Sequence, residues 1–88
     1  MIRRRVVVHG EVQGVFFRDS CREQADATGV AGWVRNTSAG TVEVVFEGAD
    51  HAVKEMVQWC RAGSDQARVD RVDVDDEEPG GESGFTVR

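Results

Sequence analysis

Gly10-Glu11-Val12-Gln13-Gly14-Val15-Phe16-Phe17-Arg18 follows the apolar run Val6-Val7-Val8 and leads into Asp19-Ser20-Cys21-Arg22-Glu23-Gln24-Ala25. The valine run reads as a buried strand and the last segment as good helix material, so the stretch between them is a glycine-hinged loop. Such a loop can turn several backbone N–H groups inward at the positive end of the following helix, forming a concave anion site. Gly14 gives a tight turn its freedom in φ and keeps a side chain out of a ligand's way. Arg18, at the far lip, presents a planar fork of donors that matches phosphate oxygens two at a time. The loop alone leaves two readings open. It is a phosphate cradle with one arginine clamp, or an ordinary glycine-bearing junction with a solvated arginine. Its glycine spacing fits neither the P-loop nor the dinucleotide fingerprint.

Outward from the loop, the first strand is expected over about Arg3 to His9, with three consecutive valines suggesting cover on both sides. The first helix runs from Phe17 or Arg18 to Thr28 and stops at Gly29. Phe17, Cys21, Ala25 and Thr28 share its inner face, and Phe16 and Phe17 are expected as core anchors. Val30–Asn36 and Thr41–Glu47 form a hairpin around Thr37-Ser38-Ala39-Gly40, with Val42, Val44 and Phe46 alternating with Glu43, Val45 and Glu47. A second helix starts after Gly48 with Asp50 as N-cap and ends near Arg61, burying Val53, Met56, Val57 and Cys60. A fourth strand covers Arg68 to Asp75. The acidic, glycine-rich run from Asp76 to Gly84 reads as a mobile surface loop, and Phe85–Arg88 as a short last strand. The order βαββαβ plus a short strand predicts an α+β, ferredoxin-like sandwich. In it an antiparallel sheet carries both helices on one face, the first strand is central, and a single domain spans residues 1–88.

The composition narrows the function. The chain has 88 residues, is 40% hydrophobic and 31% charged, and carries a net charge of −5, an ordinary balance for a globular domain. No apolar run approaches the ~20 residues that span a bilayer, and the N-terminal one is too short for a signal peptide, so a cytoplasmic protein without membrane partners is expected. Base gathers at the N-terminal end in Arg3, Arg4, Arg5 and Arg18, while acid dominates residues 65 to 88. An acidic chain is a poor partner for nucleic acid, although its basic end can attract a small anion. Cys21 and Cys60 are too few for a disulfide framework and fall on apolar helical positions, which reads as reduced core residues, with a single bridge between the two helices as the alternative. His9 lacks a second histidine near it and reads as a strand-end residue. The acidic run lacks the spacing of a metal site.

The loop Gly10–Arg18 resembles the first signature of the acylphosphatases. Gly32-Trp33-Val34-Arg35-Asn36, with Gly40, Val42 and Gly48 beyond it, resembles the second. Two long motifs in order make the resemblance specific, and the element order agrees with that family's fold over essentially the whole chain. The resemblance implies hydrolysis of the carboxyl-phosphate bond of small acyl phosphates, with no metal or organic cofactor; a monomer is expected. It makes Arg18 the phosphate-binding arginine and Asn36 the residue that positions the attacking water. The backbone N–H groups of Val12, Gln13, Gly14, Val15, Phe16, Phe17 and Arg18 complete the cradle. The alternative is a non-catalytic, phosphate-binding regulatory module. An RNA binder of the same fold would show aromatic-rich strands, and a copper chaperone a CxxC loop; neither is present. Glu11 is the residue in the first motif whose charge would oppose phosphate binding if it pointed inward.

Overall fold

The computed structural model describes residues 1–88. In chain order the elements are β1 (Ile2–Glu11), α1 (Phe17–Thr28), β2 (Ala31–Asn36), β3 (Val42–Gly48), α2 (Asp50–Ala62), β4 (Arg68–Glu77) and β5 (Phe85–Val87). The strands form one sheet in the order β4-β1-β3-β2-β5. All neighbours are antiparallel except β5, which runs parallel to β2 at the edge. The ferredoxin-like βαββαβ arrangement with a short added strand is therefore the fold, with β3 rather than β1 at its centre.

Both helices lie on one face of the sheet and close a single core. Val6, Val8, Val42, Val44 and Phe46 rise from the sheet to meet Phe17, Cys21 and Ala25 of α1 and Val53, Met56 and Cys60 of α2. The two helices touch through Phe17 and Trp59, whose ring centroids are 5.1 Å apart. Cys21 and Cys60 are both buried, free thiols. Burial, and next the neighbouring Cys60, push the Cys21 thiol well up and away from the nucleophilic thiolate. α1 ends at Gly29 in the left-handed conformation, as its position predicts. Asp50 is the first residue of α2 and not its cap; Ala49 holds the cap position, without a side-chain hydrogen bond. The Asp50 carboxylate still lies at the positive end of the helix. Gly32 has a packing reason, since a Cβ there would lie 1.8 Å from the Val45 carbonyl oxygen.

The open face corrects two expectations. β1 is not covered by helices on both sides: Val6 and Val8 are fully buried, whereas Val7 is half-buried on the helix-free face. Charge covers that face instead. Arg3 reaches Glu47, Glu77 and Glu82, and Arg5 reaches Glu43 and Glu77, while Arg4, on the helix side of β1 with Val6, pairs with Asp76. The basic start of the chain and its acidic end are thus adjacent strands, and this pairing carries β4 two residues further than the apolar pattern suggests, to Glu77. Trp33 is buried on the same face under the guanidinium groups of Arg5 and Arg88, 5.8 and 4.3 Å from its ring centroid.

The glycine-rich run beyond β4 is pinned rather than free. Glu47 is only 2% exposed, and its carboxylate accepts hydrogen bonds from the main-chain N–H groups of Gly80 at 2.6 Å and Glu82 at 2.7 Å, as well as from Arg3. The Gly80 N–H foremost, then the Glu82 N–H and Arg3, outweigh burial and hold the Glu47 carboxyl below its usual range. Arg3, then Arg5, does the same for Glu77. Their folded-state pKa values lie below the unfolded ones, so the stability they contribute is complete above about pH 5 and is lost as the pH falls through the carboxylate range. Glu47→Gln should lower stability at neutral pH by about 3 kcal/mol, because the Gly80 and Glu82 N–H groups lose a buried carboxylate acceptor and Arg3 keeps only Glu77 and Glu82. That corresponds to roughly 12–24 °C in thermal midpoint for a domain of this size. The gap between wild type and variant should narrow at acidic pH, as wild-type Glu47 itself becomes protonated. Melting curves at neutral and acidic pH check this, and a gap independent of pH would contradict it.

Candidate active site

β1 ends in a bulge, with its register to β4 shifting between His9 and Gly10. Gly10 and Glu11 still belong to the strand, so the loop proper is shorter than the motif and runs from Val12 to Phe16. Glu11 is exposed, paired across the ladder with Arg68, and does not line the cavity described below. Val12 anchors the loop by burying its side chain in the core. Gly14 adopts φ +74°, with nothing within 4 Å of the position a Cβ would take. Both parts of the reason expected for a glycine are met there: a left-handed turn and open space.

Other contacts hold the loop in shape. The Gln13 side-chain amide donates to the carbonyl oxygens of Thr37 and Thr41, both at 2.9 Å, and so ties the loop to the turn that follows Asn36. The Ser64 hydroxyl donates to the Val15 carbonyl at 2.6 Å from beyond the end of α2. None of the main-chain N–H groups from Val12 to Asp19 has an acceptor within the protein. Polar groups concentrated in this way and left unspent form a donor-rich concavity at a helix N-terminus.

A cavity of about 300 Å³ opens over this loop, lined by Val12, Gly14, Phe16, Phe17, Arg18, Asp19, Asn36 and Val87. Of the residues singled out in the sequence, Arg18 and Asn36 meet here with much of the loop, although β2 and α1 supply them from separate parts of the chain. The side chains of Gln13 and Val15 do not line it; Gln13 faces the hairpin turn and Val15 a neighbouring cavity. The Arg18 guanidinium donates to the main-chain oxygen of Arg88 at 3.0 Å. Asn36 carries the one buried side-chain polar atom without a hydrogen-bond partner, Oδ1. A buried acceptor left unpaired costs about 1–3 kcal/mol, and this one is open to a water or ligand beside the cavity.

Three features were not read from the sequence. Asp19, read in the sequence only as helix material, lines the cavity wall. The Gln13 tether needs the tertiary approach of loop and hairpin. Phe16 is not the core anchor expected of it: Phe17 is 2% exposed, but Phe16 is 66% exposed, with φ 61° and ψ 24°. A bulky residue in the left-handed region carries roughly 1–2 kcal/mol of strain. His9 lies on the open sheet face, bonded to Asp73 at 2.9 Å, and takes no part in the cavity.

The fold is a ferredoxin-like α+β sandwich whose first strand-to-helix loop offers free amides, with an arginine and an asparagine in the same cavity. Comparison with known proteins identifies its family. The acylphosphatase family model matches residues 4–87. An acylphosphatase of Rubrobacter xylanophilus is 58% identical over 87 residues, spanning 98% of this chain and 79% of the relative. One of Haloarcula marismortui is 51% identical over 86 residues, spanning 98% and 94%. The crystal structure of acylphosphatase from Bacillus subtilis superposes with a TM-score of 0.96 at 34% identity, covering 100% of this chain and 99% of that one. The chain belongs to the acylphosphatase family, a family of enzymes. Family and fold together support hydrolysis of small acyl phosphates. No helix is long and apolar enough to cross a membrane.

Proposed function

We propose that the cavity over Val12–Arg18 binds the phosphoryl group of an acyl phosphate and transfers it directly to a water held by Asn36. The observation that carries this reading is the convergence of unspent loop amides, the Arg18 guanidinium and the orphaned Asn36 Oδ1 on one cavity. The loop N–H groups and Arg18 bind the equatorial phosphoryl oxygens and neutralise their charge. Asn36 Oδ1 accepts a hydrogen bond from a water and points its oxygen at phosphorus, in line with the departing carboxylate. The P–O bond to the acyl group breaks as the new P–O bond forms, and a phosphoryl oxygen of the substrate takes the water's proton. The leaving carboxylate has a conjugate-acid pKa of ~4, so it departs without a general acid. None of these steps uses a cysteine or histidine, which fits the positions of Cys21, Cys60 and His9 away from the cavity.

The test is hydrolysis of benzoyl phosphate by the intact chain in the presence of a chelator, with inorganic phosphate as inhibitor. Turnover with competitive inhibition by phosphate is expected, because substrate and product share the cradle. Phosphate binding without turnover would overturn the catalytic reading in favour of a binding module.

A further inference from the structure

Phe16 is the cavity residue whose side chain the fold does not require. The turn needs a left-handed residue there, which glycine or asparagine would supply with less strain than phenylalanine. The strained backbone sends Phe17 into the core and holds the Phe16 ring out in solvent. Exposed aromatic surface on a strained hinge beside a reaction site has a use of its own, and the surroundings show which. Phe16 lines the cradle cavity and also a second cavity of about 300 Å³, walled by Val15, Ser20, Glu23, Trp59 and Asp65 among others. Asn36 lines only the first. An in-line displacement sends the leaving group away from the nucleophile. With the water at Asn36, the acyl group departs on the side of the cradle opposite Asn36, and Phe16 is the wall that the two cavities share.

Resting on the reading that the cradle holds the phosphoryl group, we propose that Phe16 is the acyl-side specificity residue. Its ring packs against the acyl group, and the second cavity, with Val15 and Trp59 as its apolar wall, receives the distal part of a larger one. Glu23 and Asp65 also line that cavity, so the favoured substrates have bulky, planar or apolar acyl groups without a further negative charge. Small acyl phosphates such as acetyl phosphate reach neither the ring nor the second cavity.

The experiment compares kcat/KM for benzoyl phosphate and acetyl phosphate in wild type, Phe16→Ala, Phe16→Gly and Phe16→Tyr. The quantity read is the benzoyl-to-acetyl ratio, which damage to the loop would not move because both substrates share the phosphoryl group. The ratio should fall about 5- to 10-fold in the alanine and glycine variants and be retained in the tyrosine variant. Glycine suits the left-handed backbone at this position, so Phe16→Gly keeps the turn and separates the ring from the strain. In parallel, dissociation constants are measured for 2-oxo-2-phenylethylphosphonate and acetonylphosphonate, carbon-linked analogues that cannot be hydrolysed. Their ratio should shift in the same direction. A ratio within about twofold of wild type in both the alanine and glycine variants, in turnover and in binding, would overturn the assignment. If wild type hydrolyses neither substrate, the catalytic reading fails, and the binding ratio still decides the role of Phe16.

Discussion

Arg18→Ala will lower kcat/KM for benzoyl phosphate by about 10³-fold or more, the range found where a phosphoryl-clamping arginine is removed. The loss comes from charge. Loop amides supply directed donors, but Arg18 is the only full positive charge lining the cavity, and Asp19 opposes it there. Stability should change little, because the guanidinium's one protein hydrogen bond is to the Arg88 main-chain oxygen. Arg18→Lys restores the charge without the planar fork, so it should recover only part of the loss. Rates measured beside melting curves check both statements. A folded Arg18→Ala protein within tenfold of wild type would remove Arg18 from the mechanism.

Asn36→Ala separates binding from chemistry. The side chain is assigned to the water and not to the phosphoryl group, so kcat should fall about 10²- to 10³-fold while inhibition by inorganic phosphate stays nearly as tight. The same substitution deletes a buried acceptor that has no partner, and its thermal midpoint should therefore equal or exceed that of the wild type. Loss of activity without loss of stability is the signature of a polar atom kept for function. A rise in KM with kcat unchanged would instead place Asn36 among the phosphate ligands. Asn36→Asp keeps an acceptor but sets a negative charge beside the phosphoryl oxygens, and it should weaken phosphate binding where alanine does not.

Much of this was legible in the residues. Val53, Met56 and Cys60 repeat at helical spacing and Val42, Val44 and Phe46 at strand spacing, and hydrophobic period is the signal that burial leaves in a sequence. Gly14 and Gly29 marked left-handed turns that both adopt. The open face was hidden for the complementary reason. Val45 is 0% and Glu47 2% exposed there, but their cover is a lattice of arginines, carboxylates and main-chain donors, which leaves no apolar pattern to read. The same lattice turned an acidic, glycine-rich run that composition marks as mobile into a segment fastened by Glu47. At the site, Arg18 stood out from the loop itself, whereas Asn36 and its pairing with Arg18 came from the resemblance of the two motifs. Phe16 was misread because two adjacent phenylalanines look alike in sequence. The sign of one φ angle sends the first to solvent and the second to the core.

The measurement closest to the central claim is hydrolysis of benzoyl phosphate by the wild-type protein in ¹⁸O-labelled water. Mass spectrometry of both products shows where the solvent oxygen goes. Attack on phosphorus by a water held at Asn36 puts the label in inorganic phosphate and leaves the benzoate unlabelled. Label in the benzoate would mean attack at the carbonyl carbon, and would contradict a phosphoryl-transfer site built from the loop, Arg18 and Asn36.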